Sequence, residues 1–126
     1  MSQADIPQVV RAFIAQNIES AELLETLLLV HSAPQREWTP DDVARSIYTV
    51  PASAIRRLEQ LVALGLAARG AGEAYRYAPG TPEQARHVDA LAAAYRANRV
   101  AVINLVYATP PDPLRSFADA FKLRKD

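Results

Sequence analysis

The chain of 126 residues has no cysteine, so disulfides, thiolate metal sites, iron–sulfur clusters and a cysteine nucleophile are all excluded. Its two histidines, His31 and His87, are far apart and offer no helical ligand spacing. Only four glycines are present, at 65, 70, 72 and 80, and none belongs to a phosphate-cradling loop. No apolar run is long enough to span a bilayer; the longest aliphatic stretch of the first half, Leu27–Val30, is a fraction of a span. The first residues, MSQADIPQ, lack the basic and apolar regions of a signal peptide, so a cytoplasmic location is expected. Net charge is zero, which announces no polyanionic partner, but residues 1–64 sum to −3 and residues 65–126 to +3. No nucleophile sits beside a histidine in a recognisable arrangement, and Asp41-Asp42 reads as a helix cap. An enzyme is therefore not expected, and neither a metal nor a cofactor is implied.

What is present is an ordinary globular balance, half hydrophobic and 22% charged, in a length that suits one domain over 1–126. The spacing predicts a first helix over 6–18, with Asp5 as cap, Pro7 in the first turn and Val9, Val10, Phe13, Ile14 and Ile18 on one face. A second helix is expected over Ala21–Ser32, capped by Ser20, with Glu22 at its positive end and His31 at its negative end. Arg36–Trp38 reads as a short strand, with Trp38 in the core. Thr39-Pro40-Asp41-Asp42 carries the cap, first-turn proline and capping-box acid of a third helix. Tyr48-Thr49-Val50 breaks the pattern before Pro51. A fourth helix, 51–64, then has Ile55, Leu58, Leu61 and Val62 as its buried stripe, Ser53, Arg56, Arg57 and Gln60 outward, and Gly65 as its stop.

After Gly65 the period falls to two. Leu66–Arg69 and Ala74–Ala78 read as a hairpin with Tyr75 and Tyr77 inward and Arg76 outward. A long helix is expected over 82–107, opened by Thr81-Pro82 and apolar on nearly every face from Val100 to Tyr107. Beyond Pro110-Pro111-Asp112-Pro113 a tail helix, 113–123, would carry Leu114, Phe117 and Phe121 above a basic end. The fold class expected is mainly α with a small β-hairpin wing.

Three short helices followed directly by a hairpin, over about 20–80, resemble a winged helix-turn-helix. The resemblance rests on Thr39-Pro40-Asp41-Asp42-Val43-Ala44, on Ala54–Leu61, on Leu64-Gly65-Leu66 and on Tyr75-Arg76-Tyr77. A helix before this unit and a long helix after it are similar to the layout of MarR-like regulators, although the wing replaces their acidic-x-Arg pattern with Glu73-Ala74-Tyr75-Arg76. The resemblance implies a homodimeric, cytoplasmic, bacterial transcriptional regulator. Helix 51–64 would enter the major groove of double-stranded DNA and the hairpin would grip the flanking backbone. Its DNA-binding residues would be Ser53, Arg56, Arg57 and Gln60 on the helix, Arg69 and Arg76 on the wing, and Arg45 on the preceding helix. From Val43 to Gly80 five arginines face two glutamates, a local charge of +3. Winged helices also serve as adaptors that bind proteins and not DNA, here through Leu114, Phe117 and Phe121, so both readings stand at this point.

Overall fold

A computed structural model describes residues 6–108. These form six helices and one hairpin: α1 (Gln8–Asn17), α2 (Ala21–Ser32), α3 (Pro40–Ile47), α4 (Pro51–Ala63), β1 (Ala67–Arg69), β2 (Tyr75–Tyr77), α5 (Pro82–Ala97) and α6 (Arg99–Ala108). The chain is mainly α with a small antiparallel hairpin. The expected cap Asp5 and the expected tail helix 113–123 lie outside the described residues.

The caps follow the local chemistry. Ser20 Oγ accepts the Leu23 amide at 3.1 Å and opens α2. At α3, Thr39 Oγ1 accepts the Asp42 amide at 3.1 Å, and Asp42 accepts the Thr39 amide at 3.2 Å. Between α3 and α4 the chain turns through Tyr48, the only non-glycine residue with positive φ (61°) among the described residues. Gly65 closes α4 at φ 79°, a backbone region that residues with a Cβ rarely adopt.

In the hairpin, Ala67 faces Tyr77, Ala68 faces Arg76 and Arg69 faces Tyr75. Tyr75 is buried and Arg76 exposed, as the two-residue period requires. The strand expected at Arg36–Trp38 is reduced to a single bridge: Trp38 exchanges two backbone hydrogen bonds with Tyr75, at 2.7 and 2.8 Å.

Two expected helices differ. The first starts at Gln8, after an extended Pro7, so Ile6 and Ile18 flank it and Val9 turns outward beside buried Val10. The long helix over 82–107 is two helices. Asn98 breaks it: its backbone leaves the helical region (φ −154°, ψ 74°), and its side-chain oxygen accepts the Ala101 amide at 3.3 Å, capping α6. The break turns Ala101, Val102, Leu105 and Val106 into the core and leaves Val100 and Tyr107 exposed.

One contiguous cluster of buried side chains runs from Ile6 to Val106. Leu23, Leu24, Leu27 and Val30 of α2 lie at its centre, and each contributes roughly 1.5–3 kcal/mol by leaving water. α2 packs on α3, α4, β2 and α6, while α1 packs on α5 and α6. The face of α4 away from α2 is thus held rigidly at the surface.

Candidate interaction face

Which side of α4 looks outward is decided by Ala54, Leu58 and Leu61, all with no exposed surface. They share one helical face, at i, i+4 and i+7. Small Ala54 lets α4 approach its neighbours closely. This phase moves Ile55 out of the expected buried stripe: it is 43% exposed. The same phase corrects Ser53, expected outward and instead 7% exposed, one residue from Ala54 on the inner side.

Ser53, Thr49 and Arg57 converge on Glu22 in the first turn of α2. Ser53 donates its hydroxyl to one carboxylate oxygen, which Arg57 Nε also reaches at 2.8 Å. Thr49 donates to the other at 2.7 Å. Hydrogen bonds from Ser53 first, then Thr49 and Arg57, outweigh partial burial and lower the Glu22 carboxyl from 4.5 to about 2. Arg57 also donates to Gln60 at 2.8 Å, and Gln60 donates to Glu19 at 2.7 Å. Three of the four side chains expected to read DNA from this helix are therefore turned toward α2. Arg56 remains exposed, with Ser53 Oγ at 3.4 Å as a weak contact.

The flanking cations have acidic partners too. Arg45 lies 2.7 Å from Asp42. Arg69 of β1 pairs with Glu59 of α4, and Tyr75 donates its hydroxyl to the same carboxylate; these bonds, the tyrosine's foremost, lower the Glu59 carboxyl. Arg76 is exposed on β2, with no ion pair among the described residues. Three of the five arginines of the window thus have a carboxylate partner: Arg45 has Asp42, Arg57 has Glu22 and Arg69 has Glu59.

Beside Arg45 and Arg56, this end of the molecule exposes apolar side chains. Tyr48 is 95% exposed, Val50 61% and Ile55 43%, with Pro51, Ala52 and Arg56 also exposed beside them in sequence. Tyr48 occupies the left-handed backbone region as the C-cap of α3, where glycine or asparagine is the usual solution. Sequence reasoning passed over Tyr48 and Val50 as a mere helix break and put Ile55 in the core. The available signal was the Ala54/Leu58/Leu61 spacing, which competes with Ile55/Leu58/Val62 and differs from it by one residue.

Trp38 is core, 4% exposed, with the Arg36 guanidinium 3.7 Å from its ring centroid. His31 lies 2.9 Å from Asp89 and edge-on to Tyr77. His87 is half-buried, edge-on to Phe13. Among the described residues, no group of three or more histidine or carboxylate side chains could hold a metal, and no helix is long and apolar enough to cross a membrane. No family model, curated protein or solved structure matches the chain.

Proposed function

We propose that the chain is a winged helix-turn-helix adaptor that docks on another protein through the α3–α4 turn and the first turns of α4. The order of three helices and a hairpin, α2 to β2, supports the winged helix reading. The observation that carries the docking reading is Tyr48. A bulky residue held at φ 61° costs on the order of 1–3 kcal/mol. With 95% of its surface exposed, that cost is not returned by packing within the chain. Such a residue belongs to a surface that meets something. Its neighbours Val50 and Ile55 match apolar side chains, and tyrosine is among the residues enriched at protein interfaces.

Duplex DNA fits this face less well. Among the described residues, Arg56 and Arg76 are the two expected cations without an ion pair. Two phosphate contacts on one chain would give an affinity falling only about tenfold between 50 and 200 mM salt, and four on a dimer roughly a hundredfold, against the 10³–10⁵ typical of binders with six to ten contacts.

The test is affinity capture from the source cells with wild type and with a Tyr48→Gly, Ile55→Ser variant, washed at about 1 M salt, where charges more than about 3 Å apart are screened. The reading expects a partner that survives the wash, is lost with the variant, and binds purified wild-type chain directly. Identical capture by both proteins overturns it.

One observation favours a second reading, a dimeric DNA-binding transcriptional regulator. The Arg45 and Arg69 side chains are 73% and 62% exposed, and pairs this open are weakened by solvent screening, so phosphates could displace Asp42 and Glu59. The dimer of that reading would cover Val100 and Tyr107 on α6. A monomer by light scattering at micromolar concentration would remove that part of it.

A further inference from the structure

Away from the α4 face, the start of α1 and the outer side of α5 enclose a groove of about 550 Å³. Ile6 and Pro7 form one wall; Ala90, Ala93, Ala94 and Ala97 line the other. Four alanines recurring at i, i+3, i+4 and i+7 leave a floor without side-chain bulk, bounded at one end by Asn98, where α5 gives way to α6. The groove is apolar, which favours an apolar occupant with large side chains.

We propose that residues 114–121 of this same chain occupy the groove, with Leu114, Phe117 and Phe121 set against the alanine floor. This goes beyond the docking reading and does not depend on it. The first argument is reach. α6 begins at Arg99, immediately after the groove's end at Asn98, and its ten residues are about 15 Å long, so Ala108 lies no farther than that from the groove's end. Residues 109–113, Thr-Pro-Pro-Asp-Pro, favour an extended path because proline disfavours helix both at its own position and at the one before it. Five such residues span about 16 Å, enough to bring Leu114 back to the level of Asn98. The second argument is complementarity. Leu114, Phe117 and Phe121 recur at i, i+3 and i+7, the spacing of one helical face, and supply the bulk that the alanines lack. The sequence before Ile6, residues 1–5, carries only one large apolar side chain, Met1. The third argument concerns the competing surface. α6 packs on α1, α2 and α5, so the tail departs from the groove's own neighbours and not from the α3–α4 turn.

The absence of cysteine makes a crosslinking test clean. Ala93→Cys on exposed α5 is combined with Ala118→Cys in the full chain, and a control combines Ala52→Cys on α4 with Ala118→Cys. Both are oxidised at low micromolar concentration. A tail seated in its own groove holds the first pair at high effective concentration, so its intramolecular disulfide forms at least roughly tenfold faster than the control's. Adding Phe117→Asp and Phe121→Asp abolishes that advantage. Equal rates for the two pairs, or a faster α4 control, overturn the proposal. A product that joins two chains overturns the assignment to the same chain and gives the groove to the tail of a second copy.

Discussion

Glu22 is the side chain that orients α4. It accepts from Thr49, Ser53 and Arg57, and those bonds lock the inner side of the helix to α2. Replacing it with alanine leaves three donors without their acceptor, one of them a half-buried cation, and should destabilise the fold by about 1–3 kcal/mol in urea unfolding. Its carboxyl is held at about 2, below the ordinary 4.5, so its contribution is complete above about pH 4.5 and declines as pH falls toward 2. Wild type should lose stability across that window more steeply than Glu22→Gln, which cannot titrate; parallel pH profiles would contradict the assignment. Tyr48 makes the opposite case. Tyr48→Gly should raise stability by about 1 kcal/mol by relieving the left-handed backbone, while removing the side chain proposed to dock. A thermal midpoint that falls would show that Tyr48 serves the fold. At Tyr77, burial first and then the charge of Asp89 push the hydroxyl up to about 12, and among the described residues its oxygen has no hydrogen-bond partner. Tyr77→Phe should therefore leave stability unchanged or raise it by up to about 1 kcal/mol.

At the scale of elements, α2, α3 and the hairpin could be read from the chain because their signals are local: Ser20 and Thr39 as caps, Pro40 and Pro51 in first turns, Gly65 as a stop, and a two-residue period after it. The elements misread are those in which tertiary contacts choose between local options. The period of Val88, Leu91, Tyr95 and Val102 continues through Asn98 without a breaker, and asparagine in a helix is tolerated until its side chain finds a backbone amide to cap. It finds Ala101, and α6 departs on a new axis. Asn98→Ala should remove that cap and cost about 1 kcal/mol, measured as a lower urea midpoint with unchanged slope. No change in midpoint would mean that packing of α6 alone sets the break. α4 was misplaced by one residue of rotation, because alanine at 54 is a weak hydrophobic signal and isoleucine at 55 a strong one. Close approach between helices reverses that ranking, and sequence spacing alone does not weigh it.

For the molecule as a whole, the fold class was readable and the character of the surface was not. Charge counted along a window treats Arg57 and Arg69 as free, because Glu22 lies outside the window and Glu59 is merely one of its residues. In space, both carboxylates meet those side chains. The surface left over is an exposed tyrosine in the left-handed region with exposed Val50 and Ile55 near it in sequence, and two exposed arginines, Arg56 on α4 and Arg76 on β2, without an ion pair among the described residues. The most direct measurement is fluorescence anisotropy of labelled, mixed-sequence duplex DNA titrated with the chain at about 50 and 200 mM salt, beside an Arg56→Ala, Arg76→Ala variant. A protein-docking face should give weak binding at most, falling no more than about tenfold between the two salts. Tight binding that falls a thousandfold or more over that range, and that disappears in the double variant, would contradict it and return α4 to the major groove.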